Sequence, residues 1–137
     1  MTITASKIRT LYSEYNKKYF DGSMFMPKIT TFTGINSMGI FSVKKWTNKV
    51  EEELSIARNF KLTEEELRDL VLHEMIHQYV YEKYGKMNHG KHFKKKMNEL
   101  NEKYGFDIRK NSKHLFKKYR NKKTVWERIV SLLKTKK

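Results

Sequence analysis

The chain contains no cysteine. That excludes disulfides, thiolate metal sites and a cysteine nucleophile together, and it fits a reducing compartment. It has a single proline, Pro27, and six glycines, so breaks between elements are few and each is informative. The first nine residues lack the apolar core of a signal peptide, and nothing approaches the ~20 apolar residues of a membrane span. Acid is scarce against 30 Lys and Arg, and the net charge is +15. The expectation is a soluble cytoplasmic protein with no membrane partner, able to associate with the nucleoid through its charge.

At 137 residues, with 38% hydrophobic and 13% aromatic content, the chain can bury one core and is too short for two ordinary domains. The charge is unevenly spread. Residues 109–137 hold 12 of the 30 Lys and Arg and one acid, Glu127, which places +11 of the net charge there. The expected organisation is a domain over 1–108 and a basic extension over 109–137. Arg109, Lys110, Lys113, Lys117, Lys118, Arg120, Lys122 and Lys123 are its candidate nucleic-acid contacts. A basic tail that only aids solubility is the plainer alternative.

Ile8, Leu11, Tyr12, Tyr15 and Tyr19 recur at helical spacing, and Asp21-Gly22 ends that helix. Three β-like runs follow, at Lys28 to Thr33, Ile40 to Val43 and Leu54 to Ala57, with the polar 44–53 stretch read as a surface loop. Their closeness in sequence predicts antiparallel pairing. Thr63-Glu64-Glu65-Glu66 forms a capping box that opens a helix running to Tyr84 and stopping at Gly85. Leu67, Leu70, Val71, Ile76, Val80 and Tyr84 form its expected buried stripe. A second helix starts near Lys91, with Phe93, Met97, Leu100 and Tyr104 as its apolar face, and ends at Gly105. Trp126, Ile129, Val130 and Leu133 mark a short amphipathic helix in the basic extension, with Trp126 read as core packing rather than as a base-stacking platform.

The chemistry lies in His73-Glu74-Met75-Ile76-His77. On a helix, positions i and i+4 share a face, so two imidazoles can converge on one ion at ~2.0–2.1 Å. Glu74 projects to the side of that pair. There it can act as general base on a zinc-bound water, whose pKa the metal lowers to ~7. The competing reading is two unrelated histidines beside an exposed glutamate. A catalytic zinc site takes three protein ligands and keeps one position open. The third ligand is sought further along. His89 lies in Asn88-His89-Gly90 between the two helices, with Gly85 and Gly90 free to fold the loop back. His92, Glu99 and Glu102 are the alternatives. His92 reads more simply as a surface residue, and His114, among lysines, as solvent-facing.

These residues resemble the SprT-like metallopeptidases, which include the protease domain of Spartan. Leu11 to Phe20 with Asp21-Gly22 is similar to the family's N-terminal helix, and Pro27 with Ile29 to Phe32 to its first strand. Gly39-Ile40-Phe41 and Leu54-Ser55-Ile56 fall where its other strands fall. Thr63-x-x-Glu66-Leu67 with the His-Glu-Met-Ile-His run is similar to the active-site helix, and His89-Gly90-x-x-Phe93 to the element whose histidine is the third zinc ligand. The resemblance covers about residues 8–107.

It implies an α+β, zincin-like fold: an N-terminal helix, a small three-stranded antiparallel sheet and two metal-bearing helices, followed here by a basic C-terminal helical extension. It implies one Zn2+ held by His73, His77 and His89, with Glu74 catalytic, and a protein substrate crosslinked to DNA, hence a DNA-repair role. The chain departs from many relatives in lacking a cysteine-ligated zinc ribbon after the protease core, and it lacks the recruitment motifs of the long eukaryotic members. The alternatives are a DNA-binding module with a structural zinc and no proteolysis, and a general zinc peptidase with an incidental tail.

Overall fold

A computed structural model describes residues 1–120 and Leu133. Helix α1 spans Ala5–Tyr19, and Thr4 caps it by accepting from the Lys7 N–H at 3.1 Å. It buries Ile8, Tyr12 and Tyr15, as its spacing predicts. Asp21 (φ 55°) and Gly22 (φ 66°) then turn the chain through left-handed backbone.

Strands β1 (Lys28–Phe32), β2 (Gly39–Lys45) and β3 (Val50–Ala57) form one sheet in the order β1-β3-β2. β2 and β3 are antiparallel, but β1 pairs with β3 in parallel, Lys28 opposite Glu53 and Phe32 opposite Ala57. The sheet is therefore mixed, not all antiparallel. The chain reverses after β1 and again after β2, so β3 runs in the direction of β1 and takes the place between the other two. The 44–53 stretch is also not a loop. β2 runs on to Lys45 and β3 starts at Val50, with Lys44 opposite Glu51 in the register, residues of opposite charge. Only 46–49 are left to connect them. Lys44 and Lys45 are exposed and Glu51 to Glu53 only half-buried, so this end of the hairpin carries no hydrophobic signal.

Helix α2 (Glu64–Tyr84) lies against this sheet. Its capping box has both halves: the Glu66 N–H donates to Thr63 Oγ1 at 3.1 Å, and the Thr63 N–H donates to Glu66 Oε1 at 2.8 Å. Gly85 (φ 68°) ends it, its N–H donating to the Tyr81 carbonyl. Leu67, Val71, Leu72, Met75 and Ile76 are fully buried against Leu54 and Ile56 of β3 and Ile8 and Tyr12 of α1. The buried stripe is broader than predicted, because sheet and helices enclose α2 on several sides. Tyr84, expected within it, is instead exposed beyond the core's edge and stacks on His92, ring centroids 3.6 Å apart.

Helix α3 (Lys91–Tyr104) buries Phe93 and Leu100, with Met97 partly buried beside them. Tyr104 is exposed, its ring edge against Tyr19. Helix α4 (Lys113–Arg120) returns to the start of α2. Leu115 joins the core, Phe116 meets Phe60, and Lys118 and Tyr119 both donate to the Glu66 carboxylate. His114 is half-buried beside Glu66 and Asp69, not solvent-facing, because α4 folds back onto α2. The helix read over 124–133, with Trp126, lies outside the described residues apart from Leu133. Among the described residues no helix is long and apolar enough to cross a membrane.

Candidate metal centre

His73 and His77 project from the middle of α2, one turn apart, with ring centroids separated by 4.9 Å. The loop after Gly85 brings His89 to them. His89 Nε2 lies 3.0 Å from His77 Nε2 and 3.3 Å from His73 Nε2. Tetrahedral ligands at ~2.0–2.1 Å from an ion stand about 3.3–3.4 Å from each other; His89 lies near that spacing from both partners, and all three ligand atoms lie within 4.8 Å of one another. His73, His77 and His89 are the metal-capable cluster among the described residues. Only α2 is a ligand-bearing helix, since His89 precedes α3, which starts at Lys91. Gly85 supplies the left-handed turn expected of it. Gly90 serves differently: its backbone is ordinary, but a Cβ there would come within 2.7 Å of Asn88 Oδ1.

The other proposed ligands go elsewhere. His92 stacks on Tyr84, Glu99 lies 3.8 Å from Lys96, and Glu102 lines a separate surface with Lys95 and Asn98.

Two supports of the site emerge from the fold: one is Phe93, which the sequence marks only as part of the family element and as an apolar helix face, and the other leaves no mark. Phe93 is fully buried, and its ring centroid lies 4.9 Å from that of His73, 4.8 Å from His77 and 4.8 Å from His89. One aromatic ring thus contacts all three imidazoles, which explains its place four residues after His89. The second support is a main-chain group. His73 Nδ1 sits 2.7 Å from the Arg109 carbonyl, which can only accept, so Nδ1 carries the proton and Nε2 keeps its lone pair. A role played by a backbone atom leaves no mark on residue type.

Burial depresses the imidazoles. Desolvation takes His73 to about 4, opposed by the Arg109 hydrogen bond, and takes His77 to about 3 with help from its histidine neighbours. His89 is lowered too, by burial and by Lys110. All three are neutral at pH 7, the form in which histidine binds a metal.

Glu74 faces β2. It is only 4% exposed, and its Oε2 is 3.9 Å from His73 Nε2. That is too far for a hydrogen bond and near enough to reach a water beside that nitrogen. Burial pushes its carboxyl up to about 8, against the pull of the Phe41 N–H. The start of β2 runs so close that a Cβ on Gly39 would lie 2.6 Å from Glu74 Oε2. A glycine here is what admits the carboxyl.

The candidate nucleic-acid residues do not form one uniform surface. The Arg109 side chain pairs with Asp107 at 3.1 Å, and Lys118 pairs with Glu66 at 2.8 Å. Lys110, Lys113 and Lys117 are exposed, and Arg120 is the last residue of α4. Lys122 and Lys123 lie outside the described residues.

No curated protein matches the sequence. The SprT-like family model matches residues 8–114, a stretch that takes in all three histidines, Glu74, Phe93 and the Arg109 carbonyl. The chain belongs to the SprT-like family.

Proposed function

We propose that the protein is a zinc-dependent endopeptidase acting on DNA-associated or DNA-crosslinked proteins. The observation that carries this reading is the convergence of three neutral imidazoles beside one buried carboxyl. Bound there, a zinc ion would polarise a scissile carbonyl, acidify a water to near pH 7 and favour the ionised form of the adjacent carboxyl. His73, His77 and His89 would hold it through Nε2. Glu74 would take the proton of the attacking water and return it to the leaving amine. The β2 strand pairs only with β3 among the described residues, so its other edge supports binding of an extended peptide by strand addition. The start of that strand, at Gly39, lies against Glu74.

The DNA part rests on charge and on the family resemblance. The net charge of +15, concentrated after residue 108, favours a polyanionic partner. The alternative of a DNA-binding module with a structural metal requires a closed site. The cluster has three protein groups among the described residues, not four, which favours the enzyme reading. A general peptidase with an incidental tail differs only in its response to DNA.

Glu74→Gln is the test. It should leave zinc binding and fold intact while abolishing cleavage of a DNA-bound protein. Equal cleavage by wild type and variant rejects the enzyme reading. To test the tail, the chain should be cut after Arg120, not before Arg109, because the earlier cut also removes the carbonyl that orients His73. Unchanged DNA binding and unchanged DNA-stimulated cleavage after the later cut, combined with Lys110→Ala, Lys113→Ala and Lys117→Ala to remove the exposed bases the cut leaves, would favour the general peptidase.

A further inference from the structure

We propose that Asn101 is a positioning residue of the metal centre, acting through the backbone of Ile108 and Arg109 on His73. The inference rests on the metal reading above.

Residues 105–112 carry no regular secondary structure, yet one of their carbonyls orients a metal ligand. Such a segment needs its own anchor. Ile108, 2% exposed, lies in it, and its backbone would be costly to bury unpaired. Asn101, on the last turn of α3, supplies both partners: the Ile108 N–H donates to Asn101 Oδ1 at 2.9 Å, and Asn101 Nδ2 donates to the Ile108 carbonyl at 2.9 Å. The next carbonyl along is that of Arg109, which accepts from His73 Nδ1 at 2.7 Å. The amide thus fixes the peptide immediately before the one that sets the His73 tautomer. The amide offers donor and acceptor together. Aspartate lacks the donor and would set a carboxylate oxygen against the Ile108 carbonyl, acceptor to acceptor, and alanine offers nothing.

The fold contains its own control. Asn16 makes the same two-bonded clamp on Met24, with Nδ2 2.7 Å from the carbonyl and Oδ1 3.3 Å from the N–H. That clamp leads to none of the three histidines. If the Asn101 clamp only supports the fold, the two should behave alike.

The experiment compares zinc affinity, by chelator competition, and metal-free thermal stability in the full chain for wild type, Asn101→Ala, Asn101→Asp and Asn16→Ala. The expected result is zinc binding about tenfold weaker or worse in both Asn101 variants, in the range found when partners of metal-binding histidines are removed. Their cobalt-loaded absorption spectra should also differ from wild type. Asn16→Ala should lose stability and keep its zinc affinity within about twofold. Wild-type affinity in the Asn101 variants, or an equal loss in Asn16→Ala, overturns the proposal. Should the Asn101 variants not fold, amide exchange in the wild type decides. Zinc should slow exchange of the Ile108 N–H and leave that of Met24 unchanged, and an Ile108 N–H that zinc does not slow overturns the proposal. A wild-type chain that binds no zinc overturns the metal reading and this role with it.

Discussion

Helix α2 carries two kinds of buried polar residue side by side, and they are held in opposite ways. Gln78 is 1% exposed and fully served: Tyr12 donates to its Oε1 at 2.7 Å, and its Nε2 donates to the Phe25 carbonyl at 2.9 Å. Glu74, one turn earlier and equally enclosed, has a single backbone N–H and a carboxyl pushed up to about 8. His77, the immediate neighbour of Gln78, meets the His89 imidazole at its Nε2. A satisfied knot ties α1 to α2 and asks for nothing more. The neighbouring imidazoles and Glu74 are under-satisfied, and three histidines so placed fit a possible metal site. On the function proposed above, that difference separates polar residues that serve the fold from polar residues kept for chemistry.

Adjacent substitutions should separate the two regions most sharply. His77→Ala removes a metal ligand and should abolish both stoichiometric zinc binding and proteolysis, read by metal analysis and peptide cleavage. Retained zinc would place the ion elsewhere. Next in size, Gly39→Ala forces a Cβ against Glu74 Oε2. Displacing a catalytic group by about 1 Å costs on the order of a hundredfold in rate, so cleavage should fall by about that much with zinc affinity unchanged. Gln78→Ala should do the reverse. It removes two buried hydrogen bonds and leaves the Tyr12 hydroxyl only the Phe25 carbonyl at 3.0 Å, so it should destabilise the fold by ~1–3 kcal/mol in urea unfolding, with zinc affinity preserved.

The mildest handle is pH, applied to the metal-free protein. His73 and His77 ionise near 4 and 3 when folded, against 6.5 ordinarily, so below pH 6.5 the unfolded chain binds the extra protons. Stability should fall as pH drops from 6.5 towards 4. Glu74 works in the opposite sense. Its folded value near 8 lies above the ordinary 4.5, so its contribution is complete below 4.5 and is lost as pH rises through 8. Glu74→Gln should remove that alkaline loss and leave the acid one. An unaltered alkaline arm would show that Glu74 is not the group responsible.

Much of the site is legible in the residues because its chemistry is local. The capping box at Thr63 and Glu66, the stop at Gly85 and the four-residue histidine spacing all concern one helix, and α2 forms as they dictate. His89 was one of four possible third ligands on spacing alone. The resemblance favoured it, and the fold brings it to the pair. The sheet is less legible. Nothing in the Ile and Thr of β1 says on which edge of the β2-β3 hairpin it pairs, and Lys44 opposite Glu51 looks like loop until the register is known. The supports of the site are least legible: Arg109 acts through its carbonyl, and Phe93, though part of the family element, shows its contact with all three imidazoles only once the loop is folded.

The most direct measurement is a metal-bound structure at a resolution that identifies each ligand atom. The account predicts one zinc ion bonded to Nε2 of His73, His77 and His89 at ~2.0–2.1 Å, with a non-protein oxygen in the fourth position beside the Glu74 carboxylate. A fourth protein ligand closing the site, or a His89 turned away with nothing in its place, would contradict it.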